Sequence, residues 1–257
     1  FHRLRTDPNS GFRVLTYRWD RRPDRDEKWY REKKKSLRPI DIARELDIVY
    51  EMSSPIAVYP RYSYGVHTVD PSRIPPGGDY YLTFDEGLAS PGAMYLCKYL
   101  DDVLYVLREV YQAGIHVRLS EAELSSGAKD WVTIAKELSN GRAKVITVGF
   151  ESRTAADVFR SEGFEVWRAG KDKLKRIAMV DQLMIPDNTG KPRLLISRDC
   201  TNLLWEIPRY ERKVVRGHVT EQPKDGDDHG CDALAILVEY LMTGKRAPKP
   251  KWVSKLD

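Results

Sequence analysis

The run from Lys224 to Leu241 constrains this chain most. Ala233, Ile236, Leu237, Tyr240 and Leu241 recur at helical spacing, and Leu234 and Val238 widen the stripe, so the pattern predicts a buried helix. Asp227 or Asp228 suits its N-cap and Gly244 its stop. His229 and Asp232 stand three apart on one face of the first turn, and Asp228 and Asp232 stand four apart on much the same face. Such acids can simply cap a helix and complement its dipole. Capping needs one carboxylate, however, and Asp232 lies past the cap on a turn that must pack. An inward-facing carboxylate and imidazole there suit a divalent metal, provided the rest of the chain supplies further ligands.

A chain of 257 residues can hold one large domain, or a domain with an appendage. No apolar run approaches the roughly 18 residues of a membrane span, and the start does not read as a signal peptide. The chain opens on Phe1-His2-Arg3-Leu4 without an initiator Met, so a longer protein is expected. Cys97, Cys200 and Cys231 are widely spaced among apolar residues, with no Cys-x-x-Cys pair. That argues against structural zinc or a disulfide framework and for buried thiols in a reducing cytoplasm. The formal charge is +5, and residues 1–50, with 14 Lys and Arg against 9 Asp and Glu, carry all of that excess. A basic flank suits a polyanion, though a solvated surface explains it equally well.

Along the chain, residues 12–19 alternate like a strand, Asp26 can cap a helix through Trp29, Tyr30 and Leu37, and a short helix follows from Pro39 to Leu46. Five prolines and Gly77-Gly78 between residues 53 and 78 read as a linker and a domain boundary. Then Tyr80–Phe84, Ala93–Leu100 and Val103–Val110 form a three-strand antiparallel meander, with a tight turn at Asp101-Asp102. Ser120 and Glu123 form a capping box for a helix running through Trp131 to Asn140-Gly141. A strand over residues 144–150, a helix around Ala155 to Phe159, and a short strand at residues 164–167 come next. They are followed by a helix over residues 173–184, a strand at residues 193–197 and a helix capped by Asp199. No G-x-x-x-x-G-K-[ST] phosphate loop occurs, so this piece is not expected to hydrolyse ATP.

A meander followed by helix, strand, helix and strand is the order of an RNase H-like mixed α/β sheet flanked by helices. In such sheets ligands gather at the carboxyl ends of central strands. Asp85 ends the first strand, Glu151 ends the strand expected beside it, and Asp232 opens the helix that could cross that end. In-line phosphodiester cleavage calls for two metal ions about 4 Å apart, and carboxylates suit Mg²⁺ or Mn²⁺. Each acid also has a plainer role: Asp85 in a turn, Glu151 as a cap, His229 as a surface imidazole. Glu109 reads as an exposed strand residue.

Phe84-Asp85-Glu86-Gly87, a strand ending at Glu151, and Asp228-His229-Gly230-Cys231-Asp232-Ala233-Leu234 together resemble the nuclease domain of the large terminase subunit of tailed bacteriophages. Pro23-Asp24, Trp29-Tyr30, Leu37-Arg38-Pro39, Ala43–Leu46, Ser53-Ser54 and Tyr59-Pro60 resemble that family's connection from ATPase to nuclease. The resemblance implies residues 1–75 as the end of an ATPase region with its linker, residues 76–245 as the nuclease, and residues 246–257 as a basic tail. It implies two-metal cleavage of double-stranded DNA concatemers with Asp85, Glu151 and Asp232 as catalytic metal ligands. His229 matches a histidine that assists metal binding in some members, and Asp228 joins the candidate ligands. Many members have Asp-Pro where this chain has Glu151-Ser152.

Partners implied are the ATPase domain, the small terminase subunit and the portal, in the cytoplasm of an infected bacterial host and without a membrane. Arg153, Lys171, Lys173, Lys175 and Arg176 are candidate phosphate contacts, or else solvated helix faces. A junction-resolving nuclease of the same fold, or a non-catalytic DNA-binding clamp, would share these features.

Overall fold

The structure, a computed structural model, describes residues 22–36, 56–143, 145–188, 190–226 and 228–243. The expected strand at residues 12–19, the helix at residues 39–46, Gly244 and the basic tail lie outside them. Helix α1 (Glu27–Ser36) starts where Asp26 accepts from the Trp29 amide at 2.8 Å, as its cap chemistry predicts.

The sheet is built around β2 (Asp79–Asp85), β3 (Gly92–Leu100) and β4 (Val103–Gln112), an antiparallel meander. Asp101 and Asp102 both take positive φ, 50° and 62°, which gives the β3–β4 hairpin the twist of its strands. β5 (Val145–Val148) joins β2 in parallel, and β6 (Glu165–Arg168) joins β5. On the other side β7 (Leu194–Ser197) runs parallel to β4 and pairs with the two-residue β1 (Thr68–Val69). The seven-stranded order is therefore β1-β7-β4-β3-β2-β5-β6. This is the mixed sheet expected from the order of elements.

The period-2 alternation of β2 divides the core in two. Leu82 and Phe84 face a cluster with Trp131 and Phe159, covered by α4 (Trp131–Ser139) and α5 (Arg153–Ser161). Tyr81 and Thr83 face the opposite layer: α6 (Lys173–Leu183), α7 (Thr201–Glu206) and α8 (His229–Thr243). α8 packs on β2, β3 and β5, with Tyr240 between Tyr81 and Trp167 and the Thr83 hydroxyl donating to the Ala233 carbonyl. All but three of its fifteen residues are buried, which is why its stripe is nearly all apolar. Asp85, two residues beyond Thr83, is thereby brought out on the α8 side.

Several expectations need correction. The segment read as a linker is part of the core: Val58, Tyr59 and Tyr62 are buried, Val58 N–H donates to the Tyr210 carbonyl at 2.7 Å, and helix α2 (Tyr64–His67) leads into β1. Its prolines punctuate a packed strap, so the edge set at residue 75 cuts through one hydrophobic cluster. The capping box at Ser120 and Glu123 is real, but it starts only the short α3 (Glu121–Ser125); Gly127, at φ +91°, breaks the chain. Asp130 caps α4 separately, accepting from Thr133 N–H at 2.7 Å. At α7, Glu109 takes the role assigned to Asp199. It reaches from β4 and accepts from the Asn202 and Leu203 amides at 2.7 and 3.2 Å, so it is no exposed strand residue. The hairpin β8 (Arg212–Val215) and β9 (His218–Pro223) was not foreseen.

Candidate metal centre and nucleic-acid interface

The carboxyl end of β2 supplies Asp85. Phe84 pairs with Val148 across the parallel β2–β5 ladder, so the turn after β5 comes level with Asp85. A Cβ placed on Gly149 would lie 3.7 Å from Asp85 Oδ1, and Glu151 follows two residues later. The first turn of α8 completes the site. Asp85, Glu86, Glu151, Lys171, Lys173, Arg176 and Asp232 line one open cleft of about 680 Å³. The three acids foreseen from different parts of the sequence thus line one cleft. Ser152 precedes α5 with no side-chain cap bond, and Glu151 is exposed at the cleft edge.

The electrostatics explain how these acids coexist. Burial pushes the Asp232 carboxyl up to about 6; Lys173 opposes that rise, and the nearby Asp85 and Asp228 charges add to it. Lys173 Nζ donates to Asp232 Oδ2 at 2.7 Å and to Asp228 Oδ2 at 2.8 Å. Burial works against the Lys173 charge, but the two carboxylates outweigh it and raise its pKa. His229 Nδ1–H donates to Asp85 Oδ2 at 3.1 Å; this bond raises the imidazole pKa against the opposing effect of burial. His229 therefore orients Asp85, while Asp228 and Asp232 share the ammonium. Among the described residues, no three His, Cys, Asp or Glu side chains are drawn together into a ready coordination group.

The donor chemistry nevertheless fits a hard divalent cation. Asp85 on a strand end, Asp232 in a helix's first turn and Glu151 in the turn after β5 offer carboxylate oxygens, and an internal cation already balances part of their charge.

Two of the five cations assigned to DNA are otherwise engaged. Lys173 bridges Asp228 and Asp232, and Arg176 is buried, with its guanidinium donating to the Gly170 carbonyl and 3.8 Å from Glu239. Helical periodicity places both on the inner side of α6, whereas a reading by charge alone treats them as solvated. Among the described residues, Arg153, Lys171 and Lys175 are not so engaged: Arg153 and Lys171 are exposed, and Lys171 is on the cleft wall beside the Phe150 ring.

Glu206, the last residue of α7, was not singled out. Its Oε2 accepts from the Cys231 amide at 3.0 Å, so it caps α8 from a neighbouring helix. Burial lifts its carboxyl to about 7, against the bonds from Tyr111 and the α8 amides. Gly230 is fixed by the same contact, because a Cβ there would fall 2.5 Å from Tyr95 Oη and 2.7 Å from Glu206 Oε2. The available signal was a lone acid in the apolar run Leu203-Leu204-Trp205-Glu206-Ile207, since a charge seldom enters such a face unpartnered.

No family model matches the chain, and no curated protein matches its sequence. Solved structures do. The nuclease domain of the P22 large terminase superposes with a TM-score of 0.53 at 14% identity, over 72% of this chain and 91% of that one. The fold is that of a large-terminase nuclease. The large terminase nuclease of thermophilic phage G20c, with bound cobalt, gives a TM-score of 0.51 at 14% identity, over 72% of this chain and 98% of that one. The large terminase of a second thermophilic bacteriophage gives 0.58 at 18% identity and covers 90% of this chain. The chain spans 56% of that longer protein. The terminase nuclease fold thus accounts for the RNase H-like sheet that the order of strands predicted.

Proposed function

We propose that this chain is a divalent-metal-dependent endonuclease acting on double-stranded DNA, the nuclease part of a large terminase that cuts viral concatemers during genome packaging. One observation carries this reading: Asp85, Glu151 and Asp232, from three separate elements, line a single open cleft. Like charges so placed repel, and no structural need of β2, β5 or α8 calls for them to meet. The G20c nuclease has been solved with cobalt and with magnesium bound, which supports dependence on a divalent metal.

In this proposal Asp85, Glu151 and Asp232 hold two Mg²⁺ or Mn²⁺ ions, with Asp228 and His229 in support. When bound, such ions supply an acidified water and charge stabilisation at the leaving oxygen. The chain's own part is to fix the carboxylates: β2 presents Asp85, His229 orients it, and α8 holds Asp232 in a turn capped by Glu206. The longer thermophilic-phage terminase has been solved with ADP and with ATP-γ-S. That supports an ATPase domain as partner; the small subunit, the portal and the host cytoplasm belong to the same proposal.

Plasmid incubated with Mg²⁺ or Mn²⁺, beside a synthetic four-way junction, tests the activity. Metal-dependent cutting of the plasmid is expected. Cutting confined to the junction would favour a junction-resolving nuclease, and binding without cutting a DNA clamp.

In the same proposal, DNA is held through its phosphates by basic residues beside the cleft. Arg153 and Lys171 are exposed beside Glu151, and no base-reading motif is present in the sequence. Replacing both with Ala is expected to weaken binding equally for two unrelated duplexes. It should also lower the salt slope of binding by about two, one for each phosphate no longer neutralised. Titrations at several salt concentrations measure this, and an unchanged slope or strong discrimination between duplexes would contradict it.

A further inference from the structure

Lys173 is the first residue of α6, at the end of a helix where the backbone dipole disfavours a cation. Asp172 already caps that end, accepting from the Lys175 amide at 3.0 Å. Nothing local to α6 therefore calls for an ammonium there. Across the cleft, Asp228 and Asp232 do: each places one carboxylate oxygen within 2.8 Å of Nζ.

One turn further along α6, Arg176 makes a different kind of contact. It is almost fully buried and holds Glu239 and the Gly170 carbonyl between α6 and α8. Lys173 keeps about a third of its side chain exposed, 31%, and borders the open cleft with Asp85 and Glu151. An ammonium on a flexible four-carbon stem is readily rehydrated, whereas a buried guanidinium fork is not. Of these two α6 cations, then, Arg176 fastens the helices and Lys173 can leave.

We propose that Lys173 is a placeholder cation. Its ammonium holds the Asp228 and Asp232 carboxylates in the absence of metal and is displaced toward solvent when a divalent ion takes Asp232. This rests on the metal-dependent reading above. It adds that the resting site neutralises itself, so that α8's first turn stays formed without metal and loading is a competition between two cations. A point charge removed from beside Asp232 takes away the competitor, and the ion then meets a more negative site.

The test uses the full chain and Mn²⁺ alone, with binding measured by calorimetry and by the free-Mn²⁺ paramagnetic signal. Lys173→Met is expected to bind Mn²⁺ at least about tenfold more tightly than wild type, while Lys173→Arg, which keeps the charge, is not. Without metal, Lys173→Met should melt lower than wild type and gain more from added Mn²⁺. In the wild-type chain, where folding is not at issue, Mn²⁺ should increase acylation of Lys173 by an amine-reactive ester, read by mass spectrometry.

Equal or weaker Mn²⁺ binding by Lys173→Met, or unchanged acylation, would overturn the proposal and make Lys173 a residue that positions the acids for metal. Binding of Mn²⁺ by wild type that Asp232→Asn abolishes, but that Lys173→Met leaves unchanged, sinks the placeholder and keeps the metal site. If neither wild type nor Lys173→Met binds Mn²⁺ through Asp232, both readings fail.

Discussion

Asp232→Asn is expected to lower metal-dependent DNA cleavage at least about a hundredfold, since the change removes a charged ligand and leaves the shape of the site intact. The fold should not suffer. Asp232 is ionised at a cost in the folded chain, because burial and the charges on Asp85 and Asp228 outweigh the help from Lys173. An amide relieves that cost, so the melting temperature in metal-free buffer at pH 7.5 is expected to hold or rise. Nicking assays and thermal melts on the same preparation measure both halves. A large fall in melting temperature with cleavage retained would mean that Asp232 serves the helix and not the reaction.

The metal-free protein should also lose stability as pH rises from about 5 to 8, with the steepest loss between about pH 5 and 6.5. Asp232 and Glu206 have folded-state values of about 6 and about 7, above the ordinary 3.8 and 4.5, and His229 also lies above its usual 6.5. Each such group keeps a proton in the folded chain that the unfolded chain has already released. Its contribution is fully present below the unfolded pKa and is lost as pH climbs through the folded one. At about 1.4 kcal/mol per pH unit of displacement, Asp232 and Glu206 each account for up to roughly 3 kcal/mol.

Carboxylates held below their usual range, such as Asp130 beside its helix amides, act in the opposite sense but only at lower pH. Urea unfolding midpoints at pH 5, 6, 7 and 8 read the slope. Glu206→Gln should flatten its upper part, and a slope that rises with pH would contradict the assignment of these protonated acids.

The sequence revealed the sheet well because β2, β3 and β4 are adjacent in sequence and joined by short connections. Local pattern alone then sets their pairing. The position of β5 followed from the usual order of such sheets, and it placed Asp85 and Glu151 at one edge. What escaped was mostly non-local. Tyr59 and Tyr62 sit in a proline-rich stretch that reads as linker, yet they pack against Tyr210 and His67, far along the chain or hidden by local composition.

The β8–β9 hairpin had a readable turn, Arg216-Gly217, with φ of 50° and 82°, but its strands are mostly exposed and carry no apolar stripe. The pairings of Glu109 with the α7 amides, Glu206 with α8 and Lys173 with Asp228 and Asp232 join residues 25 to about 93 positions apart. No spacing rule announces such contacts. Charge alone assigned Lys173 and Arg176 to DNA; only the tertiary packing of α6 on α8 shows that both serve carboxylates.

The central claim is that Asp85 and Asp232 are two walls of one metal site. It is tested most directly by crystals of the full chain soaked in Mn²⁺, with data collected for the anomalous signal. The account predicts an anomalous peak between the Asp85 and Asp232 carboxylates, with Glu151 turned toward it and the Lys173 ammonium withdrawn from Asp232. Absence of a peak at that position, with Lys173 still bridging Asp228 and Asp232 at saturating Mn²⁺, would contradict it.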